Sequence, residues 1–173
     1  MSEPTASVLN EEIMSYVGRE GPEETAAIHQ SEMLRYANAV SLTRDPSPIL
    51  VDAAAAARTP FGGLVAAFQF YSVPFTSMAP PSALKEDGIP AAGGLFSVDM
   101  PPIPLPRTMA GGLDVKYERP VRDGDILTRR TKIASITERQ GKTGPLVFTT
   151  METTYRDRSG AVVVTVAQTI ISR

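Results

Sequence analysis

The chain has 173 residues, 42% of them hydrophobic and 21% charged, enough for one globular domain with a substantial core. It has no cysteine and one histidine, which excludes disulfide frameworks, thiol nucleophiles and zinc sites built from Cys or His. The 17 basic and 19 acidic residues are interspersed for a net charge of −2, so no basic stripe favours nucleic acid.

Residues 1–10 are polar and read as a flexible N-terminus without signal-peptide or anchor character, and no stretch has the apolar length of a membrane span. A soluble cytoplasmic protein is the expectation, with a single domain over 11–173. Glu11–Val17 predicts a short helix closed by Gly18, a residue suited to the left-handed position past a helix end. Thr25–His29 reads as a short strand. Ser31 is placed to cap a second helix, with Glu32 in its first turn and Met33, Tyr36, Ala37 and Val40 on one apolar face.

Asp45-Pro46-Ser47-Pro48 ends that helix, and Asp52 is placed to cap an alanine-rich turn, Ala53–Ala57. After Phe61-Gly62-Gly63, the run Leu64–Tyr71 is apolar nearly all round and reads as a buried helix, although a short apolar run also suits a strand. Between Pro74 and Pro106 lie eight of the fifteen prolines. That segment reads as an ordered surface stretch, with a substrate-covering lid as the second reading.

The remainder predicts strands. Leu113, Val115 and Tyr117 alternate with Asp114, Lys116 and Glu118 as in a half-buried strand, and Arg122-Asp123-Gly124-Asp125 is a turn. Ile126–Arg139 is a long strand whose apolar positions change parity between Leu127, Ile133 and Ile136, which predicts a bulge. Val147, Thr149, Met151, Thr153 and Tyr155 share one face of the next strand. Asp157–Gly160 turns the chain into the last, where Val162, Val164, Val166 and Ile170 share a face. The expected architecture is α+β, an antiparallel sheet wrapped around a central buried helix.

Four stretches in this order resemble the hotdog fold of the MaoC-like enoyl hydratase and dehydratase family: Val17-Gly18-Arg19-Glu20 before a helix, Phe61-Gly62-Gly63-Leu64-Val65-Ala66, Tyr117–Leu127 with its Arg-Pro and Gly-Asp pairs, and Glu152–Tyr155 followed by Ala167-Gln168-Thr169. The resemblance implies an acyl-thioester substrate, on CoA or an acyl carrier protein, and addition or removal of water. Active members carry a loop resembling Gly-Asp-x-Asn-Pro-hydrophobic-His, whose carboxylate and imidazole hold the water between them. Here Asp45 falls on the aspartate and Pro48 on the proline, but Ser47 replaces the asparagine and Leu50 the histidine. Leucine moves no proton, so the resemblance implies a degenerate subunit: a lyase-related chain that binds the acyl group and needs a catalytic hotdog partner. Asp45 would be a catalytic remnant, and Leu50, Phe61, Gly62, Gly63 and Phe68 would contact substrate. No cofactor or metal is implied.

Each assignment has a plainer reading. Asp45 before proline starts turns in any protein, Gly62-Gly63 permits close packing, and Phe68, Phe70 and Tyr71 suit a core. His29 reads as a structural residue. Arg129, Arg130 and Lys132 are candidates for CoA phosphates or simply solvated charges. Two other functions stay open: a self-sufficient hydratase or thioesterase using Asp45 or Asp52, and a non-catalytic binding or scaffold protein. Either a homodimer or a heterodimer is expected, formed by joining sheet edges.

Overall fold

A computed structural model describes residues 7–76 and 97–173, with Ser82 and Glu86 between them. The proline-rich segment expected as an ordered surface stretch, or else a lid, falls largely outside the described residues. The elements are α1 (Glu11–Met14), β1 (Glu24–Ala27), α2 (Gln30–Val40), α3 (Pro48–Val51), α4 (Ala53–Ala57), a 3-10 turn η1 (Phe70–Phe75), β2 (Thr108–Tyr117), β3 (Ile126–Gly141), β4 (Gly144–Arg156) and β5 (Val162–Ser172). The strands form one antiparallel sheet in the order β1-β3-β4-β5-β2, as in a hotdog fold.

Turn chemistry closes the strands. Gly124 and Gly160 adopt φ of +80° and +84°, which glycine reaches without steric cost. Asp157 Oδ1 accepts from the Ser159 N–H, the Ser159 hydroxyl and the Ala161 N–H, fixing the β4–β5 turn. These bonds hold the Asp157 carboxyl below its ordinary range: the Ser159 hydroxyl contributes most, and Arg119 adds to it. Asp125 receives both Arg119 Nη1 and Nη2, at 2.8 and 3.1 Å, and the Arg122 N–H. Arg119 also reaches Asp157 at 3.2 Å. The Arg-Pro and Gly-Asp pairs therefore form a clamp that ties the start of β3 to the β4–β5 turn.

The parity change in β3 is a bulge: the register with β4 shifts between Ile133 and Ser135, so Ile133 and Ile136 both face the core. On the concave face, rows of side chains cross the strands. Arg129, Tyr155, Val164 and Tyr117 stand opposite one another, then Thr131, Thr153, Val166 and Val115, then Ile133, Met151, Gln168 and Leu113. Apolar packing on this face divides in two. One cluster gathers Ile28, Met33, Phe70, Tyr71 and Leu127 beneath η1, and the other gathers Ile13, Val98, Ile136, Val147 and Met151. Burying a side chain such as Phe70 contributes about 1.5–3 kcal/mol.

Several expectations are corrected. Leu64–Tyr71 is not a helix: residues 64–67 run irregularly, Phe68 and Gln69 turn, and only Phe70–Phe75 winds, as a 3-10 turn. The cause is tertiary. The Val65 N–H donates to the Ile49 carbonyl and the Ala66 N–H to the Val121 carbonyl, so these donors are satisfied outside any helix. The central helical element is therefore shorter than expected, although Phe70 and Tyr71 do fill the core. The second helix begins at Gln30 rather than after Ser31, with His29 at its cap position but making no side-chain cap bond. Asp123 caps it from across the fold, accepting from the Gln30 N–H at 2.8 Å. Val40 is about half exposed. β2 alternates in sequence but is an exposed edge strand, with Met109, Leu113 and Tyr117 open to solvent. Residues 7–9 lie against β3, where Glu138 accepts from the Ser7 hydroxyl and the N–H groups of Val8 and Leu9.

Candidate functional site

The loop that carries the expected site residues lies between α2 and η1. Asp45 is exposed on the bend after α2, and among the described residues its carboxylate has no hydrogen-bond partner. Leu50 is half-buried in the single turn α3. Asp52 caps α4, accepting from the N–H groups of Ala54 and Ala55 at 2.9 and 3.0 Å. A carboxylate engaged in this way is poorly placed to activate water. Phe61 is partly exposed, and its carbonyl accepts from Arg122 Nη2, which ties this loop to the Arg119–Asp125 clamp. Gly62 sits at φ +66°, and both Gly62 and Gly63 have open space where a Cβ would stand. Phe68 is 62% exposed and leans on Tyr117 at 6.2 Å between ring centres. His29 is exposed.

A separate groove of about 540 Å³ opens on the concave face of the sheet, and none of those residues lines it. Its walls draw on both apolar clusters: Tyr71, Tyr155 and Val166 from one, Met151 from the other. Its floor is polar. Thr131 is buried, and its Oγ1 lies 2.7 Å from Ser97 Oγ and 2.8 Å from Thr153 Oγ1, a chain of three hydroxyls. Gln168 lines the same floor, next to Thr153 and Val166. Gln69 stands at the rim in the left-handed region, φ +66°, with its N–H donating to the Tyr117 hydroxyl and its carbonyl accepting from Ser72. On the β2 side the register shift between Ala110 and Gly112 places both at the groove wall.

Arg129 is the only charged side chain among the described residues lining the groove. Glu24 takes its Nε at 2.8 Å, the Phe75 carbonyl takes Nη2 at 3.3 Å, and the guanidinium lies 4.8 Å from the Phe75 ring centre. The tyrosines of the site are held neutral. Burial pushes the Tyr71 hydroxyl well above its ordinary range, and neighbouring Tyr117, Tyr155 and Tyr36 add to it. Burial also raises Tyr155, against an opposing pull from Arg129. A neutral phenol there donates and accepts hydrogen bonds but is a poor base at neutral pH.

The grouping of Arg129, Arg130 and Lys132 does not survive strand parity. Arg129 points inward, whereas Arg130 pairs with Glu20 and Glu23, and Lys132 with Glu152, on the convex face. Gln69, Ser97, Thr131, Thr153 and Gln168 were not anticipated as site residues. Their signal was present in part: Thr153 shares strand parity with Met151 and Tyr155, and Gln168 falls between Val166 and Ile170, so both are polar residues at core-facing positions.

Comparison with known proteins places this geometry. Residues 15–166 match the family described as FAS1-like, dehydratase domain region. The chain belongs to that family. Its fold is that of MaoC-like dehydratases: it superimposes on the MaoC-like dehydratase from Rhodospirillum rubrum with a TM-score of 0.59 at 20% identity, covering 90% of this chain and 91% of that one. The HadBC (3R-hydroxyacyl-ACP dehydratase) complex from Mycobacterium tuberculosis gives a TM-score of 0.62 at 16% identity, over 91% of this chain and 97% of that one. The ChsH1-ChsH2 complex from the same organism gives 0.63 at 16% identity, over 92% and 90%. At the level of sequence, 82 residues are 40% identical to mesaconyl-C(4)-CoA hydratase from Chloroflexus aurantiacus, a match spanning 47% of this dehydratase-region chain and 27% of that relative. Among the described residues no helix is long and apolar enough to cross a membrane, and no group of His, Asp and Glu is arranged to hold a metal ion.

Proposed function

We propose that this chain is the acyl-thioester-binding subunit of a hydratase or dehydratase, completed by a catalytic hotdog chain that supplies the Asp–His pair. The observation that carries the reading is chemical. The described residues lining the groove include no His, Asp, Glu or Lys, and the motif loop has Leu50 at the histidine position. Hydration needs a group that takes a proton from water and another that delivers one to carbon. Neutral tyrosines, threonines and one arginine bind and orient an acyl group but do not meet that need.

The groove supports the binding half of the proposal. The short η1 leaves space above the strands where a longer helix would lie, and that space is walled by Tyr71, Met151 and Val166. The exposed edge strand supports the partner half. β2 offers unpaired backbone groups with Met109, Leu113 and Tyr117 beside them, a surface that a second sheet would cover. Asp45, Leu50, Phe61, Gly62, Gly63 and Phe68 remain proposed contacts of the assembled site, since partner and loop would meet on the exposed side of the chain. A homodimer would leave the site without the histidine, so the proposal favours a heterodimer.

Hydration of trans-2-enoyl-CoA by the purified chain, with Asp45→Ala beside it, tests this. Binding without turnover is the expected result. Turnover by the chain alone that disappears in Asp45→Ala would overturn the subunit reading and make Asp45 a true acid–base residue.

A further inference from the structure

The groove is unusual for a site meant to hold a hydrocarbon chain. A purely apolar acyl tail would lie against Gln168, whose side-chain amide has no hydrogen-bond partner among the described residues, and strip water from it without replacing its hydrogen bonds. At the same end stands Arg129, whose side chain is only 16% exposed. Its Nε is held by Glu24 and its Nη2 by the Phe75 carbonyl, and the Tyr155 hydroxyl stands close enough to draw on the guanidinium as well. Arg129 lines the groove and Glu24, its ion-pair partner, does not.

We propose that the groove receives an acyl thioester whose far end carries a carboxylate, held by Arg129 and by the hydroxyl of Thr153, the end of the Ser97–Thr131–Thr153 chain. This rests on the acyl-thioester reading and adds the class of acyl group. Every polar group it invokes donates hydrogen bonds. A guanidinium offers a planar fork matched to a carboxylate, and a hydroxyl chain running from Ser97 through Thr131 leaves the Thr153 proton for an anion. The buried rings of Tyr71 and Tyr155 and the side chain of Met151 flank the methylenes between the carboxylate and the thioester. A CoA phosphate is the competing anion. It carries more charge than one arginine paired with Glu24 neutralises.

Titration calorimetry on the full chain with glutaryl-CoA, pentanoyl-CoA of equal chain length, and free CoA decides the matter. Glutaryl-CoA is expected to bind about ten-fold tighter than pentanoyl-CoA. Arg129→Gln should bring glutaryl-CoA down to the pentanoyl level and leave pentanoyl-CoA unchanged. Thr153→Val should lose part of the preference, and it carries the test if circular dichroism shows Arg129→Gln unfolded. Equal affinity for the two thioesters would overturn the carboxylate inference and leave the acyl-thioester reading in place. A loss of free CoA binding in Arg129→Gln would assign the arginine to the CoA phosphates and overturn it too. Failure of both thioesters to bind removes the inference together with the reading beneath it.

Discussion

On the convex face of the sheet, Arg130 is about half exposed and spreads its guanidinium over Glu20 and Glu23. On the concave face, one residue earlier, Arg129 is 16% exposed, pairs with the Glu24 carboxylate and borders a groove floored with threonines. The two are indistinguishable by residue type and adjacent in the chain. Strand alternation alone sends them to opposite faces, and the faces differ in what a charge is worth. In the solvated belt of Glu20, Glu23, Glu152, Arg130, Lys132 and Arg156, which Arg129 also borders, opposite charges balance in high dielectric. In the groove the Arg129–Glu24 pair is less solvated, and losing either partner counts for more.

That contrast is open to experiment. The largest effect is expected where the concave face is plugged. Phe70→Ala removes a side chain with 0% exposure that packs edge-on to Tyr36, and should cost about 3–5 kcal/mol in urea unfolding. Arg129→Ala should cost about 2 kcal/mol, since it strips Glu24 and the Phe75 carbonyl of their donor. A cost for Arg129→Ala no larger than that for Arg130→Ala would erase the distinction between the faces.

A smaller effect, confined to acid, belongs to Asp157. Its folded carboxyl lies below the ordinary 3.8, so its contribution is present above that pH and is lost as pH falls through the folded value. Asp157→Asn should therefore lower the urea midpoint at pH 7, with the gap from the parent chain closing as the pH drops below the ordinary value. A gap independent of pH would assign the turn's stability to shape rather than charge. The smallest effect is expected for Arg130→Ala, below about 0.5 kcal/mol and vanishing in added salt, as for exposed ion pairs generally.

Much of the frame was legible before any coordinates. The parity change in β3 located its bulge, Asp52 was placed as a cap, and Asp157–Gly160 and Arg122–Asp125 were read as turns. Each of these signals is local: a side chain bonds to backbone two or three residues away, or a pleat sends alternate residues to alternate faces. The candidate groove was far less legible. Arg129 was named but grouped with two residues that face the other way, and the hydroxyl chain joins Ser97 to Thr131 and Thr153, residues far apart in the sequence.

By itself, then, the sequence determined the succession of the strands along the chain, their turns and the α+β, antiparallel class. These follow from short-range periodicity and turn chemistry, whereas the hotdog class came from the resemblance to a family. Only the tertiary structure decided that Leu64–Ala67 stays irregular, that Asp123 caps a helix 93 residues away, that β2 lies bare at the edge, and that Arg129 borders a polar groove. In each case the deciding partner is remote in the chain. A backbone N–H or a guanidinium takes whichever acceptor the fold brings within reach, and local propensity gives way to it.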